Sequence, residues 1–212
     1  MKIKKSLIIL FSAIVVVIFV YFFATDYRNV ATKETGGIQI EFSKEVESIL
    51  KAKADMLRPV LMQSIVFEEV GVSNQKNKNL SIEEILALDE KFQSSNGNGH
   101  FAEQFLTNRT AKTLIEFQED NPAFSEIFIT DKFGLNVAQT NKTSDFYQAD
   151  EKWWVDSFND GRGKEHHGLI EFDESAQAEA ISLYIPIIDP ATEESVGIAK
   201  AVVSIASIKM EL

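Results

Sequence analysis

Residues 6–24 read SLIILFSAIVVVIFVYFFA, an apolar run that no charge interrupts. Few physical destinations suit such a run. A helix needs roughly 20 apolar residues to cross the hydrocarbon core of a bilayer, and this run is long enough. Its many β-branched residues would weaken a helix in water. In lipid the backbone must satisfy its own hydrogen bonds, so the helix prevails. Lys2, Lys4 and Lys5 precede the run, while Asp26 and Arg28 follow it. The lysine excess places residues 1–5 in the cytoplasm and everything after Thr25 outside. The expectation is a single-pass protein of the inner (cytoplasmic) membrane, held through residues 6–24, with a periplasmic or extracellular C-terminal domain. The rival is a cleaved signal peptide, whose apolar stretch is usually about 7–15 residues and ends in a small-residue site. This run is longer, and FFATDY fits such a site poorly, so the run is read as a retained anchor.

The rest of the 212 residues must carry the function. Apolar residues make up 45% and charged residues 25% of the chain, an ordinary globular balance with enough material for one real core. There is no cysteine, which removes disulfides, thiolate metal sites and cysteine nucleophiles together. The formal net charge is −11. Phosphate backbones need Lys and Arg, so nucleic acid is not expected as a partner. The same charge disfavours lying flat on anionic lipid.

Along the chain, residues 25–37 are polar, end in Gly36-Gly37, and read as a linker. Residues 38–70 read as one long helix, because Phe42, Val46, Ile49, Leu50, Leu57 and Leu61 recur near a 3.6 period. Pro59 should kink or split it, and Gly71 is placed to cap it. Residues 73–79 (SNQKNKN) read as a polar loop. Ser81 and Glu84 form a capping box for a helix over 82–92. Residues 94–99 form a loop, and 101–117 a further helical stretch stopped by Asn121-Pro122. The period then changes to two. Residues 127–130 and 135–139 form a hairpin about the turn 131–134. Residues 145–159 read as a helix holding both tryptophans, and Gly161-Arg162-Gly163 ends it. Residues 165–172, 178–188 and 196–205 read as strands joined by turns at 173–177 and 189–194. Strands joined by tight turns pair antiparallel. The expected fold class is α+β, with an antiparallel sheet of about five strands covered on one side by helices.

A small-molecule pocket needs aromatic walls and a few aimed polar groups. Tyr147, Trp153, Trp154, Asp156 and Tyr184 could supply them, and Lys152 could meet a carboxylate. Alternation along 178–188 puts Ala180, Ser182 and Tyr184 on a pocket face and Ile181, Leu183, Ile185 and Ile187 in the core. Neighbouring helical residues point about 100° apart, so one tryptophan can be core while the other lines a cavity. His166-His167 is not read as a metal site, because adjacent strand residues face opposite sides. One of the two could be a pH-sensitive ligand contact. No G-x-S-x-G elbow, Walker loop, Rossmann fingerprint or zinc motif occurs. Neither an enzyme, a metal nor a cofactor is expected.

The stretch 124–205 resembles the Cache family of extracytoplasmic, PAS-like sensor domains. IFITDKFGLNVAQT, SDFYQADEKWWVDSF, FDESAQAEAISLYIPIIDP and SVGIAKAVVSI carry the resemblance. They match the family's strand-turn-strand, pocket helix and three-strand ending. The helix 38–70 corresponds to the family's N-terminal helix, so the sensor-like domain spans 38–212 with its PAS-like core at 124–205. The resemblance implies a small ligand between the sheet and the aromatic helix, contacted by Tyr147, Lys152, Trp153, Trp154, Asp156, Ser182 and Tyr184. In the amino-acid-binding branch an arginine precedes the tryptophan, and an aspartate lies on the last strand. Glu151 and Val202 stand there in this chain, so amino-acid binding is not implied; an organic acid or similar ligand is. The expected function is membrane-anchored sensing or binding of a small molecule. A separate signalling partner is expected, since no output module follows the last strand, as is a homodimer through helix 38–70. The alternative is a structural or assembly component of an extracytoplasmic complex with a degenerate pocket.

Overall fold

Ser43 starts the first helix: its hydroxyl accepts from the Val46 N–H at 3.3 Å, satisfying one of the donors that a helix N-terminus leaves open. The computed structural model describes residues 42–95, 100–173 and 178–212. The expected anchor 6–24, the expected linker 25–37 and the start of the expected long helix lie outside the described residues. Among the described residues no helix is long and apolar enough to cross a membrane.

The expected helix 38–70 is two helices in the described residues, α1 (Lys44–Leu61) and α2 (Ser64–Asn77). Pro59 lies in the last turn of α1. It lacks an N–H and crowds the preceding turn, and the chain leaves the helix at Met62 and Gln63. Gly71 does not cap anything. α2 runs through it to Asn77, over residues that read as a loop. Tertiary contacts explain the difference. Ser73 Oγ and Asn77 Nδ2 donate to the buried Asp131 carboxylate at 2.8 and 2.7 Å. Asn74 donates to Val196 O at 2.8 Å and accepts from Lys132 N at 3.0 Å. The polar run is thus a helix face that docks on the sheet.

α3 (Ile82–Ser94) begins at the expected capping box. Ser81 Oγ accepts from Glu84 N at 3.3 Å, and the Glu84 carboxylate accepts from Ser81 N at 2.8 Å. The stretch expected as one helix over 101–117 divides into α4 (His100–Thr107) and α5 (Arg109–Asp120). Asn108 divides it. Its Oδ1 accepts from Ala111 N at 2.8 Å, while its Nδ2 donates to Val137 O at 2.7 Å.

The sheet comprises β1 (Phe124–Asp131), β2 (Asn136–Gln139), β3 (His166–Asp173), β4 (Ala178–Ile188) and β5 (Ser195–Ser204). Its order is β2-β1-β5-β4-β3, every pair antiparallel. This α+β arrangement of five antiparallel strands and long helices fits a PAS-like architecture. The last strand occupies the centre. Gly197 lets it approach β1: a Cβ at that position would lie 2.2 Å from the Thr130 carbonyl oxygen.

Residues 145–159 are not one helix. Only α6 (Lys152–Phe158) and a 3₁₀ turn at Asn159–Gly161 form. The preceding backbone is drawn along the β1–β2 hairpin instead. Asn136 N donates to Phe146 O at 3.1 Å and Gln148 N to Gly134 O at 2.8 Å. A helix α7 (Ile205–Glu211), absent from the sequence reading, follows β5. Ser204 caps it through Ser207 N at 3.1 Å, and Ile205 and Ile208 are buried. Both faces of the sheet are covered, not one. Leu50, Leu57 and Leu61 of α1, Val66 and Val70 of α2 and Leu114 of α5 pack with Ile127, Ile181, Ile185 and Val203 of the strands. α6 contacts β4 and β5. A second cluster forms around Phe92, Phe101, Phe105 and Phe146 where α3 and α4 meet the hairpin.

Candidate functional site

Strand alternation gives each strand one side chain facing away from the helical core, and the register aligns these into rows. One row crosses all five strands. Gln139 pairs with Phe128, Phe128 with Lys200, Lys200 with Tyr184, and Tyr184 with His166. Trp153, from the first turn of α6, lays its ring parallel to Tyr184, with centroids 5.0 Å apart and planes 13° apart. It meets Phe128 edge-on at 6.0 Å. The Lys200 ammonium lies 5.3 Å from the Trp153 ring centroid and 5.7 Å from that of Phe128. Both distances suit attraction between a cation and a π face. Among the described residues Lys200 forms no ion pair.

Over this row opens a cavity of about 320 Å³, lined by Trp153, Tyr184, Lys200, Lys152, Ser144, Asp145, Gln148, Glu151 and Glu171. That volume suits a small organic molecule. Burial pushes the Tyr184 phenol up to about 12, against the pull of its hydrogen bond with Ser182, so at neutral pH it presents an uncharged hydroxyl. Burial likewise pushes the Asp145 carboxyl up, against the hydrogen bond from Gln148. His166 sits at the end of the row, its ring 4.8 Å from Tyr184 and its Nδ1 3.2 Å from Ser157 Oγ. Burial pushes its imidazole down, toward the neutral form.

The residues singled out from sequence divide sharply. Lys152, Trp153 and Tyr184 line the cavity. Ser182 lies on the same strand face, paired with Val202. Trp154 is core: it is buried, stacks on Phe158 at 4.7 Å, and donates from Nε1 to Thr130 Oγ1 at 2.9 Å. Tyr147 packs with the second aromatic cluster, and its N–H donates to Asp89 Oδ1 at 3.1 Å. Asp156 does not line the cavity. It pairs with Lys152 Nζ at 2.5 Å along the exposed side of α6, and that hydrogen bond holds its carboxyl below the usual range. The Lys152 ammonium is therefore committed to Asp156.

Sequence reasoning missed Lys200, Asp145, Gln148, Glu151 and Glu171. One signal was present for Lys200. It is the only charged residue in SVGIAKAVVS, and a charge inside an apolar strand is costly unless something meets it. The rim residues come from the stretch 144–152 and from β3, and carry no shared pattern.

The two tryptophans should separate by experiment. Trp154→Phe is expected to cost about 1–3 kcal/mol of stability, from lost volume and the lost bond to Thr130. Trp153→Phe, half-buried and stacked on one side, should cost less. Equal losses in urea denaturation would contradict the assignment of Trp154 to the core.

No protein-family model matches the chain, and no curated protein matches it. Among solved structures it is similar to the sensory domain of the Campylobacter jejuni chemoreceptor Tlp3 with isoleucine bound, at 13% identity over 82% of this chain and 67% of that one, TM-score 0.40. It is similar to the V. cholerae histidine kinase DctB sensor domain, at 13% identity over 79% of this chain and 60% of that one, TM-score 0.38. It is also similar to the E. coli DcuS sensor domain, at 14% identity over 61% of this chain and 92% of that one, TM-score 0.36. The chain spans about two thirds of the length of the first two. These neighbours are sensory or sensor domains, one of a chemoreceptor and one of a histidine kinase among them. The strand order and the cavity, not these distant likenesses, carry the reading below.

Proposed function

We propose that this chain is a Cache-type, extracytoplasmic sensing or binding domain that takes a small organic anion over the face of its sheet and is anchored in the inner membrane by residues 6–24. The observation that carries the proposal is Lys200. Its ammonium belongs to the lining of a ligand-sized cavity, with aromatic faces on two sides and, among the described residues, no carboxylate paired to it. A carboxylate entering there gains a charge-assisted hydrogen bond in partly desolvated surroundings. Tyr184 adds a hydroxyl and Trp153 an aromatic wall. The rim carboxylates Asp145, Glu151 and Glu171 repel a second acidic group, which favours a monoanion over a dicarboxylate. Occupancy would bear on α6 and on the sheet that α1 packs against, and a separate membrane partner would receive the signal.

A homodimer through helix 38–70 belongs to the same reading. Much of the apolar stripe of α1 is spent on the sheet, leaving Met56 on the helix and Met62 just past its end as exposed large apolar side chains. They are where a second copy would meet it.

The test is a thermal-shift screen of the full chain with organic monoacids, dicarboxylates and amines. A monoacid should raise Tm, and Lys200→Met should weaken its binding about tenfold or more, the loss of one charge-assisted hydrogen bond. Binding that survives Lys200→Met unchanged would sink the assignment. A second reading, an assembly component, draws on the exposed Leu169, Ile170 and Phe172 of edge strand β3. A silent screen together with a stable hetero-complex extracted from membranes would favour it.

A further inference from the structure

On the opposite face of the sheet, α1 meets edge strand β3 across a cleft of about 180 Å³, floored by Leu50, Ala54 and Leu183. His167 spans it. Its Nδ1 lies 2.8 Å from the Gly168 carbonyl oxygen, and its Nε2 lies 3.2 and 3.1 Å from the two carboxylate oxygens of Glu47 on α1. The Phe42 ring lies 5.3 Å away.

A carbonyl oxygen only accepts, so Nδ1 must donate. A carboxylate only accepts, so Nε2 must donate as well. A neutral imidazole has a single N–H and cannot serve both. The contact therefore needs one proton more than neutral histidine and ionised glutamate together carry, whichever side of the Nε2–Oε line holds it.

We propose that Glu47 and His167 form a proton-operated latch between the long helix and the edge of the sheet. It is closed while that proton is bound; without it the imidazole has one N–H for two acceptors, and one of the two contacts must open. The other charged or titratable groups at the cleft are Lys51 on α1 and Glu165 and His166 on the β3 side. Lys51 is paired with Asp55 at 2.6 Å, and Glu165 with Arg58 at 2.8 Å. The Arg58–Glu165 bridge also ties α1 to the residue that leads into β3. It holds the seam's far end while the latch end responds. The His166 ring lies against Tyr184, 4.8 Å away, so the latch contact and the cavity row use different side chains.

A double-mutant cycle on the full chain in detergent tests this, using Glu47→Gln, His167→Gln and the pair, with Tm read at about pH 5.5 and about pH 8. At the lower pH each single variant should lose about 1–3 °C, as suits a partly exposed ion pair, and the double variant no more than either. At the higher pH the coupling between the two substitutions should fall to near zero. The coupling of His166 to His167 is shared by the wild type and Glu47→Gln and absent from the other two, so it cancels in the coupling energy. Additive losses at the lower pH, or a coupling of equal size at both, would overturn the latch.

Discussion

Asp131→Ala is expected to destabilise the domain by about 3–5 kcal/mol, because it strands several donors at once. Asp131 is fully buried. Its Oδ1 accepts from Phe133 N at 2.9 Å and Leu135 N at 3.0 Å, closing the turn between β1 and β2. Its Oδ2 accepts from Ser73 Oγ and Asn77 Nδ2, closing the end of α2 onto that turn. Burial pushes the carboxyl above its ordinary range, and these donors pull it back. An alanine offers none of them a partner. Solvent can reach Ser73, but the Leu135 amide and Asn77 are buried and cannot recover their bonds from water. Urea denaturation of the full chain measures the loss. A cost under about 1 kcal/mol would mean that the network relaxes to find other acceptors.

Gly197→Ala should be about as damaging for a different reason. The added methyl would stand 2.2 Å from the Thr130 carbonyl oxygen and 3.4 Å from Val70. The close atom is backbone, in the middle of the β1–β5 ladder, so no rotamer relieves the clash. β5 must move away from β1. A cost of about 3 kcal/mol or more is expected, at the upper end of overpacking penalties. Because Gly197 pairs with Asp131 across the ladder, the two substitutions should not be additive. Full additivity in the double variant would show that strand spacing and the Asp131 network are separate.

Much of the architecture was legible because it depends on local rules. The capping box at Ser81 and Glu84, the stop at Asn121-Pro122, the hairpin turn at 131–134 and the alternation on β4 follow from backbone geometry and residue type. The same rules separated Ile181, Leu183 and Ile185 from Ser182 and Tyr184, and set His166 and His167 on opposite faces. Where the reading went astray, distant partners had overruled local preference. SNQKNKN looks like a loop because its polar groups would compete with a helix in water. Here Asp131, Lys132 and Val196 engage them, and the helix continues. Residues 145–151 suit a helix, but the hairpin edge uses their backbone groups.

The candidate site divides along the same line. The family resemblance implied that the aromatic pair near 153 would face the sheet, and helix geometry allowed the pair to split into one core and one cavity tryptophan. Which tryptophan does which was decided by the Thr130 hydroxyl, which binds the Trp154 indole. The sequence by itself determined the class of fold, the apolar N-terminal run, and the two faces of each strand, because periodicity and turn chemistry act over a few residues. Only the tertiary structure decided that β5 lies between β1 and β4, and hence that Lys200 stands beside Tyr184 beneath Trp153. Strand order is settled by packing and pairing over the whole sheet, and no short stretch of chain encodes it.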